Sequence, residues 1–156
     1  MPLSTRPLEV AHAGEVLTLQ RAAYVPEARR YGDLDMPPLT QTLDELRAEL
    51  ARDDVMGLGV WDGGRLVGSV RVRVDTGVAH LGRLVVAPDR QGEGIGSSLL
   101  AAAERLLPPE VLEIRLFTGD RSESTITLYE RFGYVRQYET SAGTYRLVHL
   151  TKYLGV

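Results

Sequence analysis

Cysteine is absent from this 156-residue sequence, and lysine occurs once, at Lys152. Without cysteine the chain forms no disulfide, no thiolate metal site and no covalent cysteine intermediate. No apolar run approaches the roughly 20 residues that cross a bilayer. The formal net charge of -3 gives no basic footprint for nucleic acid. We therefore expect residues 1–156 to form a single cytoplasmic domain that binds neither nucleic acid nor a membrane.

The apolar periodicity predicts the order βααββββαβαββ. Residues 4–9 are typical of a strand, and a helix is predicted to begin near Gly14. The proline-rich stretch from Val25 to Leu39 is expected to end that helix. Thr42 and Glu45 are spaced as a capping box for the next helix.

Three strands follow, separated by the turn sequences "DGG" and "DTG". They are predicted over residues 55–61, 65–74 and 78–86, as an antiparallel meander. A helix from Ile95 to Leu106 then leads to a short strand over residues 114–117. A strand, helix and strand in this order form a crossover, so the two strands are expected to be parallel within an otherwise antiparallel sheet.

The turn of that crossover, "APDRQGEGIGSSLL", has glycine at positions 92, 94 and 96. Glycine near a helix start costs about 0.5–1 kcal/mol relative to alanine, so the spacing indicates a sharp bend or a close approach. Free N–H groups at a helix N-terminus favour a phosphate. A P-loop is excluded because Ser97, not lysine, follows Gly96. A Rossmann fingerprint fits only loosely, because three antiparallel strands precede the turn; a glycine turn without a ligand is the other alternative.

Two motifs resemble the GNAT superfamily of N-acetyltransferases. "LVVAPDRQGEGIG" is similar to its acyl-coenzyme A pyrophosphate motif, with Gln91, Gly94 and Gly96 in the fixed positions. "SESTITLYERFGY" is similar to its second motif, with Tyr129 and the Gly133-Tyr134 pair matching. Ser122 stands where the family usually has asparagine, and Thr125 where it has alanine. We expect Ser122 to be the N-cap of this helix and Gly133 its C′ residue.

The resemblance implies a mixed α/β (α+β) fold with about seven mostly antiparallel strands, one parallel splayed pair and helices on both faces. Acetyl-coenzyme A would lie in the splay, and Gly82 would form the bulge that opens it. The backbone of Leu84 and Val86 would pair with the pantetheine arm. The implied cofactor-binding residues are Leu84, Val85, Val86, Gln91, Gly92, Glu93, Gly94, Ile95, Gly96, Ser97, Ser122, Thr125 and Tyr129.

The absence of cysteine favours direct attack of an amine on the thioester in a ternary complex. By resemblance, the Leu84 N–H would stabilise the oxyanion and Tyr129 would protonate the leaving thiolate. His80 occupies the place of the family's basic glutamate, acting directly or through water, and strand alternation would put it on the face of Gly82 and Leu84. For Tyr129 and for His80, packing within the fold is the alternative role.

The activity implied is acyl transfer, with acetyl expected, to a small-molecule or peptide amine. No metal is expected, no oligomeric state is fixed by the sequence, and a homodimer is one of the arrangements left open. The alternative function is a noncatalytic module that binds acyl-coenzyme A.

Overall fold

The computed structural model of the protein describes residues 2–155, which build a seven-stranded sheet in the order β1-β2-β3-β4-β5-β7-β6. The strands are β1 Leu3–Pro7, β2 Val55–Asp62, β3 Arg65–Asp75, β4 Val78–Val86, β5 Glu113–Gly119, β6 Val135–Ser141 and β7 Arg146–Tyr153. The helices are α1 Ala13–Tyr31, α2 Pro37–Thr40, α3 Leu43–Leu50, α4 Ile95–Arg105 and α5 Glu123–Arg131.

The strand pairing confirms the predicted mixed sheet. Strands β4 and β5 are parallel, whereas the five other pairings among residues 2–155 are antiparallel. The parallel ladder is short and ends at the pair formed by His80 and Arg115. Beyond that pair the two strands separate, so the carboxyl-terminal half of β4 presents a free edge. This is the predicted splay.

Helices cover both faces of the β2–β4 part of the sheet. Helix α4 lies close to the sheet because Gly68 has no side chain: a Cβ there would lie 2.7 Å from Cγ2 of Ile95. On the other face Arg71 is buried beneath α1 and α3, where it donates to Gln20 at 3.0 Å and pairs with Glu49. Burial of a guanidinium is tolerated here because its donors find acceptors.

The first helix is longer than predicted. It continues through Pro26 to Tyr31, where Gly32 ends it in the left-handed conformation at φ 62°. The extra turns are stabilised by burial, because Ala28 and Tyr31 pack with Met36 in a second apolar cluster. Proline removes one helical hydrogen bond, and tertiary packing offsets that cost. The following prolines begin α2, a short helix that the sequence did not predict.

Two predicted helix ends are confirmed. Thr42 and Glu45 exchange hydrogen bonds of 3.2 and 2.8 Å at the start of α3. Gly133 follows α5 at φ 94°, the left-handed conformation expected of a C′ glycine.

Candidate functional site

The free edge of β4 begins the candidate site. The N–H of Ala87 donates to the carbonyl of Val67 on β3 at 2.8 Å. Successive backbone groups of a strand point to opposite edges, so Val85 also faces β3, whereas Leu84 and Val86 face the splay. The N–H groups of both residues and the Leu84 carbonyl are therefore placed to pair with an extended ligand between β4 and β5, as an added strand would.

A β-bulge interrupts β4 just before these residues. Ser69 pairs with Val85 and Arg71 pairs with Gly82, so Val70 alone opposes both Arg83 and Leu84. Arg83 takes a positive φ of 52°, which is uncommon for a residue other than glycine. The bulge thus lies after Gly82 and not at it, which corrects the prediction. The extra residue also breaks the alternation by which His80 and Leu84 were expected to share a face.

The glycine turn leads from this edge into α4. Gly92 and Gly94 have φ of 79° and 81°, so the bend itself requires glycine at both positions. A Cβ at either would meet nothing within 4 Å, which leaves open space above the turn. A Cβ at Gly96 would be in ordinary contact with Val86 and Leu128 at 3.8 Å. The glycine spacing is therefore explained by backbone conformation, and the argument for a ligand depends on what the turn exposes.

The turn exposes the N-terminus of α4. Its first internal hydrogen bond runs from the Ser98 N–H to the Gly94 carbonyl at 3.0 Å, so the N–H groups of Ile95, Gly96 and Ser97 precede the helical ladder. The Gln91 amide folds back and donates to the Val86 carbonyl at 3.0 Å, which fixes the turn against β4. Free N–H groups, open space and the positive end of an 11-residue helix suit a pyrophosphate.

Acidic side chains around the turn are neutralised by arginine. Arg90 donates to Glu93 at 2.9 Å and to Asp62 at 2.7 Å. Hydrogen bonds from Arg65 lower the pKa of Asp89 to about 2. The carboxylate of Glu93 beside the cradle is thus paired, which reduces its repulsion of an incoming phosphate.

Helix α5 brings Tyr129 and Thr125 towards the same region. Tyr129 is buried, and its ring lies 5.8 Å from that of Tyr134. Burial raises the pKa of Tyr129 well above its usual value, so its hydroxyl stays protonated at neutral pH. Thr125, one turn earlier on α5, is half-buried.

Ser122 occupies the predicted N-cap position, but its side chain has other partners than the helix. It stands at the N-cap of α5, but its side chain makes no capping hydrogen bond. Its hydroxyl is 2.7 Å from the hydroxyl of Tyr31 and donates to Glu27 at 2.7 Å. The side chain is fully occupied by α1 and is only 1% exposed, so contact of this hydroxyl with a cofactor is disfavoured.

His80 lies at the point where β4 and β5 separate. It is half-buried and pairs across the sheet with Arg73 on one side and Arg115 on the other. Burial, Arg73 and Arg115 lower the pKa of His80 below 6.5, so the neutral, proton-accepting ring predominates at pH 7.

The side chain of His80 opens onto a groove over β5, β7 and β6. Aromatic residues line much of this groove, including Phe117, Tyr138 and Tyr153, each more than half exposed. The Tyr138 ring stacks on His149 at 4.4 Å. An acceptor thus has an open approach to His80 from this side.

Two residues near the splay, Tyr24 and Arg83, were not singled out from the sequence. Tyr24 on α1 is close enough to Tyr129 to raise its pKa slightly, in addition to burial. Burial raises the pKa of Tyr24, and the positive charge of Arg83 partly opposes that rise. No motif marks either residue, because their proximity depends on the bulge in β4 and on the packing of α1 against the sheet.

Residues 2–155 contain no group of three or more histidine and acidic side chains arranged to hold a metal ion. Of the helices in the described part of the chain, none has the length and apolar character needed to cross a membrane.

Sequence comparison decides the family. The model of the Acetyltransferase (GNAT) family matches residues 17–134, which include the splayed strands, the glycine turn and Tyr129. The chain belongs to the GNAT acetyltransferase family. Among curated relatives, it is 32% identical over 101 residues to S-(2-succino)cysteine N-acetyltransferase of Bacillus subtilis, covering 58% of this chain and 59% of that protein.

The spermidine N(1)-acetyltransferase of Thermoplasma acidophilum is 26% identical over 93 residues, which cover 59% of this chain and 58% of that protein. The chain therefore spans less than two thirds of the length of these relatives. In fold, it is similar to the PaiA N-acetyltransferase of Thermoplasma acidophilum, solved in complex with coenzyme A. The TM-score is 0.84 at 19% identity, over 99% of this chain and 100% of that one, which supports the GNAT fold.

Proposed function

We propose that this protein transfers an acetyl group from acetyl-coenzyme A to a primary amine, by direct attack in a ternary complex. The observation that carries the proposal is the continuity of the free β4 edge with the glycine turn and the exposed N-terminus of α4. The strand edge would form hydrogen bonds with an extended pantetheine arm, and the helix N-terminus would bind the pyrophosphate that follows it. The two sites therefore lie in the same order as these groups in coenzyme A.

The donor would be held mainly by backbone groups. Leu84, Val85 and Val86 would flank the pantetheine arm, and the N–H groups of residues 91–97 would bind the pyrophosphate. Thr125 and Tyr129 would border the thiol end. When bound, acetyl-coenzyme A supplies the thioester carbonyl that the amine attacks. Holding amine and thioester together is worth effective molarities of about 10⁵–10⁸ M, more than any single side chain offers.

The Leu84 N–H has the role of oxyanion donor in this proposal. It faces the splay directly after the bulge, where a backbone donor is fixed in place and needs no reorganisation. Removal of one such donor typically costs about 10²–10³ in kcat.

His80 would accept the proton that the ammonium form of the acceptor must lose. Its lowered pKa keeps the ring neutral at pH 7, and the groove beside it gives an acceptor access. A proton accepted there leaves the amine lone pair free for attack. The position of His80 several residues before Leu84 is also compatible with transfer through a bridging water.

Tyr129 would supply a proton to the leaving thiolate. Its burial keeps the hydroxyl protonated, and Tyr24 of α1 is its neighbour near the splay. The apolar surrounding weakens the phenol as an acid, but it also destabilises a thiolate that develops beside it, and that thiolate would take the hydroxyl proton.

The acceptor is a small-molecule amine in this proposal. The two relatives described above are named for acceptors as unlike as S-(2-succino)cysteine and spermidine, so neither acceptor is transferred to this chain. The class they share is a small molecule with an amino group.

The test is release of free coenzyme A from acetyl-coenzyme A across a panel of amines, with mass spectrometry of the acetylated product. Amine-dependent release supports the proposal. Tight binding of acetyl-coenzyme A with no amine-dependent release across the panel would instead indicate a noncatalytic binding module.

A further inference from the structure

Two buried polar atoms in residues 2–155 have no hydrogen-bond partner, and both belong to the strands at the β4 bulge. They are the Oγ of Ser69 and the Nε of Arg83. Ser69 forms the last regular pair on one side of the register shift, and Arg83 is the inserted residue. Buried polar atoms nearly always have a partner, so two orphans at one irregularity point to a missing polar ligand.

Arg71 on β3, beside the bulge, has several hydrogen-bond acceptors for its guanidinium. Arg71 pairs with Glu49 and donates to Gln20 at 3.0 Å and to Gln41 at 3.2 Å. Arg83 forms no salt bridge with any described residue, although its charge is felt by Arg71, Glu49 and Tyr24. The Glu49 carboxylate thus pairs with Arg71 and not with Arg83, so the positive charge of Arg83 is left without an ion pair among residues 2–155.

Arg83 lies beside the atoms that the proposed reaction uses. It immediately precedes Leu84, whose N–H faces the splay. Its guanidinium approaches Tyr24, and Tyr24 approaches Tyr129. Arg83 also holds an uncommon backbone conformation, at φ 52°, that the surrounding structure must stabilise. Strain of this kind is concentrated at ligand sites.

We propose that Arg83 binds a carboxylate of the acceptor, which makes the acceptor class an amine that also carries a carboxylate, as α-amino acids do. This inference rests on the proposed acetyl transfer. The planar guanidinium matches a carboxylate in a bidentate pair, so it provides orientation as well as charge. A carboxylate bound there would balance the positive charge of Arg83 and place an amino group a few bonds away near the thioester.

The test compares each amino acid with its own carboxamide as acceptor. Wild-type protein is expected to show a kcat/KM ratio of about 10–100 in favour of the carboxylate, the fold-change typical of a hydrogen-bonded charge. Arg83→Gln should reduce that ratio towards one. Arg83→Lys keeps the charge without the planar fork and should give an intermediate ratio, mainly through KM.

Arg47→Gln is the matched control. It removes the same charge from an exposed side chain of α3 that pairs only with Asp44 at 3.5 Å, so the ratio should stay at the wild-type value. Thermal midpoints of all variants establish that they are folded. A second readout does not need turnover: with coenzyme A present, succinate should raise the thermal midpoint of the wild type and not of Arg83→Gln.

The outcomes separate this inference from the proposed function. If no amine of any kind is acetylated, the proposed function fails. If amines are acetylated but the wild type treats carboxylates and carboxamides alike, and Arg83→Gln does not change that, the proposed function stands and the role of Arg83 is overturned. Equal stabilisation of both proteins by succinate would overturn it as well.

Discussion

The hydroxyl oxygens of Tyr31 and Ser122 lie 2.7 Å apart, although the residues are 91 positions apart in the chain. Tyr31 also accepts from the Arg121 N–H at 2.9 Å, and Ser122 donates to Glu27 at 2.7 Å. Each hydroxyl has one hydrogen, so the donors run in one direction, from Arg121 through Tyr31 and Ser122 to Glu27. This chain of bonds ties the end of α1 to the junction of β5 and α5, on both sides of the splay.

Removal of the Tyr31 hydroxyl should weaken that tie. Tyr31→Phe leaves the Arg121 N–H without its acceptor and the Ser122 oxygen without its donor, while the Ser122 bond to Glu27 remains, so the free energy of unfolding should fall by about 1–3 kcal/mol. Urea titration followed by circular dichroism measures the change. Tyr153→Phe is the control, because Tyr153 is 66% exposed and should unfold like the wild type. Equal midpoints for both variants would show that the bond adds nothing to stability.

The glycine turn is tested by a pair of alanine variants with equal backbone strain. Gly94 and Gly77 have φ of 81° and 84°, so alanine at either costs a similar amount of conformational energy. Only Gly94→Ala adds a methyl group to the open space above the proposed pyrophosphate site, and it should weaken coenzyme A binding at least tenfold. Gly77→Ala, at the opposite end of β4, should bind normally. Calorimetric titration measures both, and equal affinities would remove the turn from the binding site.

The fold was predictable where the signal was local. The hairpins, the α3 capping box, the crossover and Gly133 each depend on a few neighbouring residues, and the structure confirms them. The predicted end of α1 was wrong. Pro26 predicts a helix end when only its sequence neighbours are considered, whereas the burial of Ala28 and Tyr31 stabilises the helix as far as Tyr31. Burial of this kind depends on contacts between residues far apart in the chain, which sequence patterns over a few neighbouring residues do not predict.

Tyr129 is tested by loss of its hydroxyl alone. Tyr129→Phe keeps the ring that packs against Tyr134, so coenzyme A affinity should change little while kcat falls by about 10²–10⁴. Tyr134→Phe is the matched control: its hydroxyl bonds to Glu104 at 2.8 Å, so its loss should lower stability and leave kcat near the wild-type value. Full turnover by Tyr129→Phe in steady-state assays would assign Tyr129 to packing.

His80 is tested by the pH dependence of kcat/KM. A base works in its neutral form, so the rate is lost as pH falls through its pKa, and the lowered pKa of His80 places that acidic limb below pH 6.5. His80→Gln should abolish the limb and reduce kcat/KM by about 10²–10⁴. Arg115→Gln should move the limb to higher pH, because it removes one of the charges that lower the pKa.

Two results would contradict this role. One is a His80→Gln variant that loses less than about threefold in kcat/KM and keeps the limb. The other is a limb that Arg115→Gln leaves in place, since the titrating group would then lie elsewhere.

The backbone groups of the candidate site were predictable from the sequence, whereas the contacts of Ser122 and the location of Arg83 were not. The exposed N–H groups of α4 and the free edge of β4 follow from the glycine spacing and the crossover. The side-chain partners of Ser122 were not predicted, because Tyr31 and Glu27 lie beyond Val25, where the sequence predicted the end of α1. Arg83 was missed because a bulge at Gly82 is the simpler reading of a glycine in mid-strand, and the position of the extra residue is set by pairing with β3.

We expect the short ladder between β4 and β5 to divide the sheet into two units that open separately. Three residue pairs join those strands, whereas seven join β5 to β7. Amide protons on the two sides of so narrow a junction need not exchange in the same opening event. Strands β2, β3 and β4 are covered by α1, α3 and α4, whereas β6 lies at the sheet edge with every residue exposed. Hydrogen exchange should therefore proceed from β6 inward and reach the β2–β4 unit last. A ligand bound in the splay would bridge both units and slow exchange in each.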